Sequence, residues 1–207
     1  MDMKQKGFTL IEILVVVTII GVLAGLVVVL IPRGQEKANI AECTNNQKQL
    51  AQTLISLDST KFPDKYAGVN LLLYLFKAGH IDMAEENLQL LFCPGDEGDG
   101  WETSGKMKAY KEADINRNGE YGMMSSYAAR NQTDRECKAI KSSTKPQAMI
   151  CDDSQDHHNG KGFVIAYSTG AVKFRQKFED WNLEIDTEVK VGEGSEIDDL
   201  KCLNTDD

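Results

Sequence analysis

Two hydrophobic rhythms divide the chain. From Phe8 to Ile31 the run is almost continuously apolar, and its single charge is Glu12. A helix of those 24 residues is roughly 36 Å long against a hydrocarbon core of roughly 30 Å, so it is long enough to span a bilayer. Beyond it, Ile40, Cys43, Leu50, Leu54 and Leu57 recur at spacings of three, four or seven, with Gln47 on the intermediate step. That spacing predicts an amphipathic helix with one stripe seated on a domain. One helix is therefore expected from about Phe8 to Leu57, with Pro32-Arg33-Gly34 as the place for a kink. Turn-forming residues from Leu57 to Pro63 end it.

The rest of the pattern is mixed. Val69 to Lys77 reads as a short helix closed by Gly79, and Asp82 with Glu85 reads as a capping box for a second helix ending near Leu91. From Phe92 to Asn118 the composition turns to Gly, Asp, Glu and Lys, which predicts a long surface loop. Gln147 to Cys151 and Gly162 to Tyr167 read as strands, and Ala171 to Arg175 after Ser168-Thr169-Gly170 completes a hairpin. After Trp181 the acids outnumber the bases, and residues 184–207 are expected to form an acidic, solvated end. The fold class is α+β: a long N-terminal helix, transmembrane and then amphipathic, packed on a small antiparallel β-sheet.

Composition narrows the partners. The 207 residues carry a net charge of −9 with 42% hydrophobic and 27% charged residues, values of a globular protein without the basic footprint of a nucleic-acid binder. Five cysteines, Cys43, Cys93, Cys137, Cys151 and Cys202, show no C-x-x-C spacing, so neither a zinc ribbon nor a thioredoxin-type motif is visible. If the body is exported, one or two disulfides are expected, the odd number of cysteines leaving at least one thiol free or intermolecular, and the pairing is open.

Lys4 and Lys6 precede the apolar run, so basic-residue bias orients the short end toward the cytoplasm and the body outward. A cleavable secretory signal has the same charge order but a shorter apolar run, normally 7 to 15 residues. An ordinary signal anchor gives no reason for Glu12, because a carboxylate within a bilayer costs a few kcal/mol and usually marks a function with an oppositely charged partner.

Gly7-Phe8-Thr9-Leu10-Ile11-Glu12 ahead of an apolar stretch resembles the processing signal of type IV prepilins and of the pseudopilins of type II secretion systems. Gln35-Glu36-Lys37-Ala38 and the Leu57 to Pro63 turn are similar to segments of major pseudopilins. The resemblance implies a leader at 1–7, a membrane and filament-core helix at 8–31, a stalk helix at 32–61 and a head at 62–183. It implies cleavage between Gly7 and Phe8 by a prepilin peptidase, N-methylation of Phe8, and a role for Glu12 in assembly. The implied partners are copies of the same chain, minor pilin-like subunits, the peptidase, an inner-membrane assembly platform and membrane lipid, with the head in the periplasm and no nucleic acid. A new cationic amine on Phe8 paired with Glu12 of a neighbour would neutralise two charges that lipid penalises.

Phe92-Cys93-Pro94-Gly95-Asp96, Ser126-Tyr127-Ala128-Ala129-Arg130-Asn131 and His158-Asn159-Gly160 are similar to stretches of planctomycete-type prepilin-like proteins, which carry a His followed after nine residues by Asp-Gly. Here Ser168-Thr169-Gly170 stands in place of that ending.

Two segments carry candidate metal chemistry. Asp114, Asn116 and Asn118 before Gly119 match the first half of a calcium loop, but the twelfth position is Ser125 rather than a bidentate acid. Calcium is therefore a candidate cofactor on an incomplete ligand set, and the resemblance to major pseudopilins, which bind calcium in a C-terminal loop, keeps it open elsewhere in the head. Asp152, Asp153, Asp156, His157 and His158 form the densest polar cluster. Two imidazoles and a carboxylate suit a transition metal, whereas adjacent side chains on an extended segment diverge, and a solvated turn is the expected outcome. No nucleophile elbow, phosphate loop, H-E-x-x-H pair or dinucleotide fingerprint is present. The expected function is a non-catalytic pilin-like subunit of a secretion filament. The alternatives are a type IV pilus subunit for adhesion, motility or DNA uptake, and a membrane-anchored enzyme or metal-binding head.

Overall fold

The computed structural model describes residues 8–57, 63–96, 107–116, 124–138, 145–184 and 186–204. Gly7, most of the turn after Leu57, and Asn118 with Gly119 lie outside the described residues. The chain divides into two compact units, one ending at Ala38 and the other beginning at Asn39.

Helix α1 runs from Leu10 to Ser56 and continues as helix through Pro32. In the first unit its described large apolar side chains, Leu10 to Ile31, are all exposed. Among the described residues it is the one helix long and apolar enough to cross a membrane.

The second unit is built on a five-stranded antiparallel sheet in the order β4-β3-β2-β1-β5, formed by β1 (Tyr127–Arg130), β2 (Ala148–Asp152), β3 (Gly162–Tyr167), β4 (Val172–Gln176) and β5 (Leu203–Asn204). Both faces are covered. On one side the α1 stripe, with Cys43, Leu50, Ala51 and Leu54 buried, joins Leu71, Leu72 and Leu75 of α2 (Gly68–Lys77) over Tyr127, Ile150, Val164 and Ala166. On the other, Phe163, Ile165 and Tyr167 of β3 pack with Ala128, Cys151, Leu200 and Leu203. Strand β3 thus reads as a continuous apolar run because its alternate residues enter two different cores.

Four sequence expectations change. The second short helix begins at Glu85 with Ala84 as its N-cap, α3 being Glu85–Leu88 followed by a 3-10 turn at Gln89–Leu91. The Asp82 capping box does not form; instead the Asp82 carbonyl accepts from Asn87 Nδ2. Within the expected long loop stands α4 (Met107–Glu112), anchored by buried Tyr110. Its six residues are too few to show a helical period. The expected solvated end is instead packed: residues 186–204 include buried Leu200 and Leu203, and Cys202 forms a disulfide with Cys137. Its acids alternate with Val189, Val191, Ile197 and Leu200, and those apolar residues dock on the sheet's second face while the charges stay outside. The reading of the Asp152–His158 cluster as a solvated turn also fails, because Asp152, His157 and His158 are all buried.

Candidate functional site

Two places hold the chemistry the sequence singles out. The first is the start of α1, where Thr9 precedes the helix and Glu12 occupies its third position. The Glu12 carboxylate accepts from the Thr9 backbone N–H and from its hydroxyl, both at 2.7 Å, and the Glu12 N–H donates back to Thr9 Oγ1 at 3.3 Å. This is a reciprocal capping box, which satisfies donors that the first turn leaves free. The T-x-x-E spacing that carries it is visible in the sequence, although none of the sequence expectations uses it. Phe8 is exposed in front of this cap, while Gly7 lies outside the described residues.

The second place is a buried polar cluster between α1 and the sheet. Asp152, at the end of β2, is fully buried and takes four donors. Its Oδ1 accepts from the Cys43 thiol at 3.0 Å and from Gln47 Nε2 at 3.0 Å. Its Oδ2 accepts from the Val164 N–H at 2.6 Å and lies 3.1 Å from His158 Nε2. Cys93 Sγ sits 3.7 Å from the same His158 nitrogen and accepts from the Gly95 N–H at 3.4 Å. One carboxylate oxygen of Asp152, the two sulfurs and one His158 nitrogen all lie within 4.8 Å of one another.

Local structure explains how these groups meet. Cys43 and Gln47 are one helical turn apart on α1, so both face the sheet. The Phe92 to Asp96 segment is held by Asn46 and Tyr127, which both donate to the Phe92 carbonyl, and by the Ser126 hydroxyl, which donates to Asp96. Gly95 is required there, because a Cβ on it would stand 1.9 Å from the His157 carbonyl oxygen. His157 and His158 belong to a 3-10 turn, Gln155–His158, not to an extended segment. They still diverge: His157 Nε2 faces Asp153 at 3.3 Å and Asp96 at 3.8 Å, while His158 turns to Asp152. The three stretches around Cys93, Ser126 and His158 thus converge on one locus, although they are far apart in sequence.

Charge in this locus is strongly polarised. Burial alone would lower both imidazoles, but contacts with Cys93 and the carboxylates outweigh it, pushing His157 up to about 9 and His158 up to about 10. The hydrogen bond from Cys43, joined by those from the two histidines, holds the Cys93 thiol well below its ordinary range. Burial, the bond to Cys93 and the Asp152 charge push Cys43 the other way. The two thiols are thus pushed in opposite directions, Cys93 toward the thiolate and Cys43 toward the neutral thiol.

The remaining candidates are less assembled. Asp114 Oδ1 accepts from the Asn116 N–H and side-chain amide at 3.1 and 3.0 Å, and Asn118 is outside the described residues. Ser125, the twelfth position of that loop, is buried and donates to the Leu91 carbonyl at 2.8 Å. Of the cysteines, Cys137 and Cys202 pair, leaving Cys43, Cys93 and Cys151 as buried thiols.

Comparison with known proteins bears on the first place. Residues 2–28 match the family model of the prokaryotic N-terminal methylation motif. Type II secretion system core protein G of Dickeya chrysanthemi is 37% identical over 75 residues, covering 35% of this chain and 49% of that protein. The core protein G of Klebsiella pneumoniae is 38% identical over 72 residues, covering 34% and 51%. That of Escherichia coli (strain K12) is 40% identical over 72 residues, covering 34% and 50%. The chain thus spans about half the length of the curated relatives it matches. No solved structure matches it significantly. Over about a third of its length, then, the chain is similar to type II secretion system core protein G, and its N-terminus carries the prokaryotic N-terminal methylation motif.

Proposed function

We propose that the chain is a pilin-like subunit, made as a membrane-anchored precursor, cut between Gly7 and Phe8, methylated on the new amine and polymerised into a secretion-type filament. The observation that carries this is the coincidence, at one terminus, of the methylation motif, a Glu12 five residues after the cut, and likeness to core protein G. The exposed apolar surface of α1 from Leu10 to Ile31 supports it, since lipid or neighbouring helices must cover that surface. In this reading the protein catalyses nothing and its head faces the periplasm. Its partners are other copies, minor pilin-like subunits, the peptidase and the assembly platform.

Glu12 then has two successive roles. In the single chain its carboxylate closes the Thr9 cap. In the filament it exchanges that cap for the cationic Phe8 amine of a neighbour, which a low-dielectric bundle rewards. The test is co-production of the full chain with a prepilin peptidase and a secretion assembly platform, followed by shearing and electron microscopy. Filaments that label for the head are expected. A processed chain that stays wholly in the membrane as monomers contradicts the proposal.

A further inference from the structure

We propose that Cys43, Cys93, Asp152 and His158 form a closed, tetrahedral site for a divalent transition-metal ion, zinc foremost, which fastens the stalk portion of α1 to the head. The ligand atoms come from four separate segments: α1, the turn after α3, the end of β2 and the 3-10 turn before β3. Asp152 and His158 stand in the polar cluster the sequence shows, but no short spacing such as C-x-x-C ties Cys43 and Cys93 to them.

The geometry fits one ion. In a tetrahedron with zinc bonds of roughly 2.3 Å to sulfur and 2.0–2.2 Å to nitrogen or oxygen, the ligand atoms stand about 3.3–3.8 Å apart. Here Cys43 Sγ to Asp152 Oδ1 is 3.0 Å, His158 Nε2 to Asp152 Oδ2 is 3.1 Å and Cys93 Sγ to His158 Nε2 is 3.7 Å. With one Asp152 oxygen as ligand, the four ligand atoms lie within 4.8 Å of one another, so shifts of about 1 Å complete the polyhedron.

The donor set selects the metal class. Two thiolates and an imidazole favour a borderline or soft ion over calcium or magnesium, and two cysteines are too few for the usual four-cysteine iron–sulfur cluster. All four residues are buried, leaving no open coordination position of the kind a catalytic zinc keeps, so the ion's role is structural.

A supporting shell is already in place. The Val164 N–H donates to Asp152, Gln47 Nε2 reaches Asp152 Oδ1 at 3.0 Å and Cys43 Sγ at 3.7 Å, and the Gly95 N–H donates to Cys93. Such outer donors orient ligands and spread their charge. Binding exchanges protons for the ion: Cys43 and Cys93 are held as thiolates, His158 binds through unprotonated Nε2, and the displaced protons leave to solvent.

The test uses the full chain purified in mild detergent without chelators. Elemental analysis is expected to find one zinc per chain, falling to less than about a tenth in Cys93→Ser and His158→Ala and unchanged in Cys151→Ser. Gln47→Leu is expected to keep the stoichiometry but weaken zinc about 10–100-fold in a chelator competition. Because ligand variants can misfold, the wild-type chain is also stripped and titrated with cobalt(II). The intense visible bands of a tetrahedral site and thiolate-to-cobalt charge transfer in the near ultraviolet are expected. A wild-type chain that takes up neither metal, or one in which Cys43 and Cys93 are joined as a disulfide by intact mass and peptide mapping, overturns the assignment.

Discussion

From Phe8 to Gln35 every side chain whose exposure is described lies open, whereas in the head a carboxylate, two thiols and an imidazole are sealed between a helix and a sheet. The difference separates two ways of satisfying groups that water would otherwise solvate. The first segment has an apolar surface that its own chain does not cover, so its stability depends on lipid or on neighbours. The head seals its polar cluster inside, with Asp152 alone taking four donors, and its stability rests on contacts within the unit. Changes in the first segment should therefore act on assembly, and changes in the second on folding.

The sharpest break in that contrast comes from Glu12. In an assembled filament, Glu12→Ala strands the partner amine in a low-dielectric bundle, at about 3–5 kcal/mol per contact, enough to abolish filaments while peptidase cleavage continues. Glu12→Gln can still accept from Thr9 and so keeps much of the cap. Filament loss in Gln as well as Ala, scored by electron microscopy and sheared-fraction blots, assigns the effect to charge. Full assembly of Gln with loss in Ala would assign it to the cap alone.

Second in size is the disulfide between Cys137 and Cys202, separated by 65 residues. A loop of that length is worth about 4 kcal/mol in the chain-entropy picture. The double change to serine is expected to lower the denaturant midpoint of the head by that equivalent, read by tryptophan fluorescence, with processing of the N-terminus untouched. A coincident loss of processing would break the separation between the two regions.

Smaller still is a matched pair of glycines. Gly95→Ala drives a methyl into the His157 carbonyl, and overpacking of this kind typically costs about 1–3 kcal/mol. Gly21→Ala meets nothing within 4 Å and should not destabilise the head at all. Equal thermal shifts for the two variants would contradict the division into self-covered and uncovered units.

How much of this was legible in the sequence also differs between the regions. The start of α1 is encoded locally: a capping box and a membrane-length run are contained in consecutive residues, and helical periodicity then placed Cys43, Leu50 and Leu54 on the buried stripe. Gln47 falls on the same stripe by spacing alone, and only the fold supplies its acceptors, Asp152 and the Val164 carbonyl. Strands β2 to β4 were readable from their apolar runs. Strand β1 was not, because Tyr127-Ala128-Ala129-Arg130 has weak strand character and is strand by virtue of two neighbours, β2 and β5. The buried cluster was legible only in part, for the same physical reason: Asp152 and His158 stand in the polar cluster the sequence shows, whereas Cys43 and Cys93 do not. Its residues at positions 43, 93, 152 and 158 are joined by tertiary packing, which no short-range pattern records.

The central claim concerns the new amino terminus, and mass spectrometry of the mature chain from membranes that contain a prepilin peptidase tests it most directly. The account predicts a chain beginning at Phe8 and carrying one methyl group on its amine. An intact Met1, or a terminus near Ala24 as a secretory signal would leave, contradicts it.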